Sequence, residues 1–217
     1  MELGMTEDWG DLEHEFDLVI DYDASLWLEI PPRWDEESWS DIDSWASECA
    51  ELLWRSHAQD PGESGIPFFA GTLRRCVDAF APERFDTRAL LHIASPTSMP
   101  LPVFAAVRPA AEEGERETAL RALVLADDPD AVEPPVVETF YTENLGEGVR
   151  ALRYVRQDDA SEVLAGLRYA WHDDEIDTDT VLWTATDDVA QVIRAAKDIE
   201  KLAHKIQIRI WDVDPED

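Results

Sequence analysis

The chain has 217 residues, with 49 acidic against 18 basic side chains, a formal charge of −31 and a hydrophobic fraction of 45% that includes nine Trp. A chain this long buries roughly 70% of its unfolded surface, so it can build a core without disulfides or metal, and its apolar content excludes a disordered acidic polymer. The scarcity of cations argues against a nucleic-acid binder, whose phosphate contacts need Lys and Arg, and the negative field would repel an anionic membrane surface.

Residues 1–15 read as an acidic, solvated arm in which only Leu3, Trp9 and Leu12 are strongly apolar. They lack a basic region followed by an apolar core, so they do not read as a secretory signal. No run of 18 apolar residues occurs, so no helix is expected to span a membrane. The cytoplasm is the expected compartment. Phe16, Leu18, Ile20 and Tyr22 then alternate as in a strand, and Leu26, Leu28 and Ile30 do the same until Pro31 and Pro32 stop them. Trp39, Ile42, Trp45, Ala46, Cys49, Leu52 and Leu53 recur at helical spacing, predicting an amphipathic helix over 37–57 with Ser38 and Asp41 as a capping box. A loop over 59–65 leads to a second helical stripe, Phe68 to Phe80, ended by Pro82.

Strand patterns follow. Residues 89–94 and 102–107 read as a pair joined by a short connection, and 112–117 as a charged loop. Period does not decide between helix and strand for 118–126. Four evenly spaced segments, 136–142, 148–157, 161–171 and 180–185, predict an antiparallel meander. A helix from Val189 to Ala203, capped by Thr186 or Asp187, precedes a closing strand with Ile206, Ile208 and Ile210. Residues 213–217 read as an acidic tail. The sum is one α+β domain over 16–212, a mostly antiparallel β-sheet with helices packed on it as an α/β sandwich.

In two segments the chain resembles the PsbP-like α/β/α sandwich family. The first is the short strand Leu26, Trp27, Leu28, Glu29, Ile30 running into Pro31, Pro32 and Trp34. The second is the terminal strand, long helix and strand over 180–184, 189–203 and 206–210. The resemblance implies a non-catalytic binding or assembly factor. It transfers no site residue, because the family has no shared catalytic motif, and fold analogy is an associational argument.

Familiar chemistry is missing. There is no nucleophile elbow, no phosphate-binding glycine loop and no pair of histidines at zinc-ligand spacing. No catalytic residue, metal ligand or cofactor is assigned. His92, between Leu91 and Ile93, reads as a structural histidine. Cys49 and Cys76 read as buried free thiols. The run His172, Asp173, Asp174, Glu175, Asp177 and Asp179 invites a cation, but it lacks the glycine and terminal glutamate of a calcium loop and reads as a solvated hairpin.

The Trp cluster is more informative. Trp27, Trp34, Trp39, Trp45 and Trp54 fall within 28 residues. Most are expected to fill the space between the first helix and the sheet, while Trp34 and Trp39 are the candidate partner-binding residues. The apolar connection Met99 to Pro102 either folds onto the core or joins a contact surface. Arg outnumbers Lys fifteen to three, so the acidity can also reflect a high-GC or salt-loving host rather than function. The leading expectation is a non-enzymatic factor that binds a protein or peptide, chaperone- or immunity-like, with a basic partner favoured by the field. The alternative is an enzyme of unfamiliar type with a carboxylate-rich, metal-dependent site around 173–179. A monomer and a homodimer both fit.

Overall fold

The computed structural model describes residues 14–35, 39–82, 87–110, 116–156 and 163–212. Over these the alternating segments form the strands β1 (His14–Ile20), β2 (Trp27–Ile30), β3 (Thr87–His92), β4 (Leu101–Pro109), β5 (Val136–Thr142), β6 (Gly146–Arg156), β7 (Val163–Asp173), β8 (Thr178–Thr186) and β9 (Ile206–Asp212). The stripes of 3.6-residue period form the helices α1 (Ile42–Ser56), α2 (Gly65–Phe80), α3 (Arg116–Leu123) and α4 (Val189–Ala203).

Seven strands make one antiparallel sheet in the order β2-β3-β4-β8-β7-β6-β5. β5 to β8 is the expected meander, and β8 returns beside β4 to join it to the β2–β4 half. The closing strand does not enter this sheet. β9 pairs with β1 in a separate two-stranded ribbon. Period-two alternation gives the large sheet two apolar faces, and different elements cover each. On one face, α4 and the ribbon bury Ile199, Leu202, Leu18 and Ile206 against Val103, Leu167, Tyr169 and Leu182. Arg88 on β3 anchors the ribbon: it pairs with Glu29 and donates to the Leu18 carbonyl at 2.7 Å.

On the opposite face, α1 and α2 cover only β2, β3 and β4, through Trp45, Leu53, Phe69 and Leu73 packed on Ile30, Ala89 and Leu91. α3 and the turn after it cover β6 and β7 through Leu120 and Val124 against Ala151 and Ala170. Between these two caps runs the middle of the sheet. This arrangement is the α+β sandwich expected from the sequence.

Several local expectations change. α1 starts at Ile42, not 37, because Asp41 is itself the N-cap and accepts from the Ser44 amide at 2.8 Å. Ser38 lies outside the described residues. α4 is capped by Asp188, which accepts from the Gln191 amide at 3.0 Å, while Thr186 Oγ1 accepts from the Asp188 amide instead. The ambiguous 118–126 segment is mostly helix, since Leu120, Leu123 and Val124 meet the sheet at helical spacing. Of the charged 112–117 loop, Arg116 and Glu117 belong to this helix and the remainder lies outside the described residues. β1 begins at His14, inside the acidic arm; residues 1–13 and the tail 213–217 lie outside the described residues.

Two glycines are required by geometry. Gly146 holds a φ of +71° in the β5–β6 turn. A Cβ on Gly148 would sit 2.4 Å from the Ala170 carbonyl oxygen and 2.5 Å from the Trp171 ring.

Candidate functional site

Alternation and register place three rows of side chains on the sheet between the α1–α2 hairpin and α3. The first row runs Arg108 (β4), Asp179 (β8), His172 (β7). The second is Ala106, Val181, Ala170 and the third is Phe104, Trp183, Arg168. One end of the strip is therefore charged, its middle small and apolar, and its far end aromatic with a cation beside it.

The side chains complete a cleft. Phe104 and Trp183 stack with centroids 5.4 Å apart and planes at 23°, and Phe80 of α2 meets Phe104 edge-on at 6.4 Å. Opposite them, Ala119, Ala122 and Leu123 of α3 line a cavity of about 340 Å³ together with Arg108, Arg168 and Asp179. Phe104, Ala106, Trp183 and Arg168 are half-buried and Ala185 is exposed, so the strip is open on the side where neither helical cap reaches it.

The charged end is held by a buried pair. Asp179 is 0% exposed, and its Oδ1 is hydrogen-bonded to His172 Nδ1 at 3.1 Å and lies 3.8 Å from Arg116 Nη1. The segment 173–179 is the expected hairpin with an exposed turn, and the expectation of a solvated run is corrected at its Asp179 end. Asp174, Glu175 and Asp177 are exposed, with Asp177 at a positive φ of 48°, but the strand resumes at Thr178 and carries Asp179 into the sheet. His172 Nε2 lies 3.1 Å from Asp174 Oδ1 without the alignment of a hydrogen bond.

The cations of the cleft have different surroundings. Arg153, next to Arg168, is neutralised by Asp128. Arg168 donates from Nη1 to the Leu123 carbonyl at 3.1 Å. Burial holds its guanidinium below the ordinary arginine range, Arg153 pushes it the same way, and Asp128 offsets part of this.

Trp34 and Trp39 come together at the approach to α1. The Trp34 ring meets Trp45 edge-on at 6.0 Å, the Asp35 amide donates to the Trp39 carbonyl at 3.1 Å, and Trp39 Nε1 donates to Glu48 Oε2 at 3.2 Å. Both rings are half-buried on the α1–α2 cluster. Trp45 and Trp54 are buried in the helical layer, whereas Trp27 lies on the other side of the sheet, its ring 4.9 Å from His92. The Met99 to Pro102 connection divides: Met99 is exposed, while Pro100 and Leu101 are buried.

Sequence reasoning passed over Trp183, Phe104, Arg108 and Arg168. The available signal was a cation inside each of two otherwise apolar strands, since a charge at a core-period position is costly unless it faces a partner or a cleft. Elsewhere, His92 is buried, with Nε2 3.2 Å from Asp198 Oδ2. Cys49 and Cys76 are free and buried, and burial pushes their thiols up to about 12 and about 11. Among the described residues no group of three or more His, Cys, Asp or Glu is placed to hold a metal ion. No helix among them is long and apolar enough to cross a membrane.

No protein-family model matches this sequence, and no curated protein matches it. Among solved structures, the Ran-binding protein Mog1p of Saccharomyces cerevisiae is similar with a TM-score of 0.41 and 9% identity, covering 60% of this chain and 83% of that one. A mutant of the protein Mog1 is similar with a TM-score of 0.40 and 8% identity, covering 63% of this chain and 86% of that one. At this distance no residue is transferred from either structure to the cleft.

Proposed function

We infer that this protein is a non-enzymatic factor that binds a protein or peptide in the cleft between α2 and α3. The observation that carries the reading is the half-buried Phe104–Trp183 stack on the open middle of the sheet. Stacked aromatics that the described elements leave half-exposed offer a partner apolar area at low conformational cost, and aromatic residues are enriched where proteins meet. The charge of −31 adds selectivity, since it accelerates encounter with a basic polypeptide and repels acidic ones. Trp34 and Trp39, half-buried at the approach to α1, belong to this reading as a second contact. The PsbP-like resemblance of the two segments quoted above also favours a binding factor over an enzyme.

The test is capture from the native host at low and high salt, with wild type beside Trp183→Ala and Trp34→Ala. A discrete partner that is retained by wild type and lost with Trp183→Ala supports the cleft; loss with Trp34→Ala extends the contact to the start of α1. Partners bound equally by wild type and both variants refute the reading.

A further inference from the structure

The charged end of the cleft holds polar groups that no described residue satisfies. Asp179 Oδ1 is taken by His172, but its buried Oδ2 has no hydrogen bond. Arg108 lines the same cavity, and its Nε is buried without a partner. Arg108 stands opposite Asp179 in the β4–β8 register, yet no ion pair forms between them. Arg168 reaches the cavity from β7, with one of its guanidinium nitrogens engaged by Leu123. A buried donor or acceptor left open costs about 1–3 kcal/mol. Buried polar groups that the chain leaves open take their partners from solvent or from a ligand, so their clustering in a cleft marks a place where a ligand can be held.

These groups specify the ligand. Two guanidinium groups lining one cavity call for an anion. The open carboxylate oxygen calls for a donor beside that anion, and it disfavours an ionised phosphate ester, whose free oxygens only accept and would be repelled. A carboxylate that carries an N–H on its α-carbon satisfies both demands. Free amino acids and peptide C-termini share this chemistry. The setting favours the peptide: beside the cavity of about 340 Å³, the same face of the sheet carries Ala106 and Val181 and then the Phe104–Trp183 stack, a row of surface on which a chain can lie.

We propose that the cleft captures the C-terminal carboxylate of a partner polypeptide. Arg108 and Arg168 bind the carboxylate, and Asp179 accepts from the terminal amide N–H. The last side chain rests on Ala119, Ala122 and Leu123. The preceding residues run toward Trp183. The proposal rests on the peptide-binding reading and names the part of the partner that is read. It also reconciles the arginines with the acidic field: a basic chain approaches, and its one obligatory anion lands in the cavity that Arg108 and Arg168 line.

The probe is a pool of N-acetylated tetrapeptides with Lys at the first two positions and mixed apolar residues at the last two. It is made with a free carboxylate and, separately, as the C-terminal amide. Nitrogen-labelled protein reports binding through the arginine Nε–H and backbone signals in NMR. The free-acid pool is expected to shift Arg108, Arg168 and Leu123 and to bind at least about tenfold more tightly than the amide pool, the ratio typical of hydrogen bonds to a charged group. Arg108→Met is expected to abolish that ratio while leaving the melting temperature near wild type, because Arg108 has no ion pair among the described residues to lose. Equal binding of acid and amide pools would overturn C-terminal capture. So would free leucine or inorganic phosphate shifting the same signals as strongly, or no shift with any probe. Equal binding that still depends on Trp183 would leave the cleft as a peptide site and remove only its terminal specificity. A host partner lost with Trp183→Ala but retained by Arg108→Met would separate the two claims in the same way.

Discussion

Replacing Asp179 with Ala tests whether the end of the acidic run is a structural part of the sheet. In the structure the carboxylate is 0% exposed, and the His172 side chain it holds is 4% exposed. The substitution removes the 3.1 Å hydrogen bond to His172 Nδ1 and the 3.8 Å approach of Arg116, which keeps Asp177 at 3.6 Å. Breaking a buried pair by deleting one partner costs about 3–5 kcal/mol, because the other partner stays buried and unpaired. An exposed pair in a solvated loop contributes only about 0–1 kcal/mol. The two descriptions of this segment therefore differ by several fold in the expected loss. For a chain of this size each kcal/mol lowers the melting temperature by about 2–4 °C, so the expected drop is about 6–20 °C. Urea unfolding followed by tryptophan fluorescence measures the free energy, with Asp174→Ala as the exposed control. Asp179→Asn, which keeps shape and one acceptor, is expected to lose about 1–3 kcal/mol. A loss below about 1 kcal/mol for Asp179→Ala would refute the burial argument, and a double-mutant cycle with His172→Gln that showed no coupling would refute the pairing.

The tryptophans divide by burial. Trp45→Ala, at a ring 0% exposed between α1, α2 and the sheet, is expected to cost about 3–5 kcal/mol in urea unfolding, whereas Trp183→Ala loses a half-exposed stack worth about 0.5–1.5 kcal/mol beyond its area and acts mainly on partner binding. His92 gives a pH dependence. Burial lowers its folded pKa below the unfolded value of 6.5, with the Asp198 hydrogen bond opposing this. The unfolded chain thus takes up the proton first, so stability is full above pH 6.5 and falls as pH drops below it. Urea midpoints at pH 7.5 and 5.5 are expected to fall more steeply for wild type than for His92→Gln. Cys49 and Cys76, with thiols raised by burial to about 12 and about 11, are expected to resist iodoacetamide at pH 8 in the native protein and to be alkylated in urea, as mass spectrometry reads directly.

What the sequence by itself determined is local. Alternation in Phe16 to Ile20, Leu26 to Ile30 and the four segments from Val136 onward specified strands, because side chains of a strand bury on a two-residue period. The stripes Trp45–Cys49–Leu53 and Val192–Ile199–Leu202 specified helices for the same reason at period 3.6. Short connections between neighbouring strands then specified the meander and the fold class. Trp34 and Trp39 were legible as a pair only because they are close in the chain.

The tertiary structure alone decided the rest. Nothing in the local pattern of 206–210 tells a strand whether to join the large sheet or pair with β1, which is almost the whole chain away. Arg108, Arg168 and Asp179 are separated by 60 and 11 residues along the sequence and become neighbours only through the order β4-β8-β7. The acidic run shows the limit most directly. His172 and the five carboxylates after it read as one acidic run on the chain, but the turn at Asp177 leaves Asp174, Glu175 and Asp177 in water and carries Asp179 into the sheet. Composition sets the solubility of a segment, whereas register sets which of its members meets water, a partner or a cleft. Register here depends on strands that the chain brings back from far away.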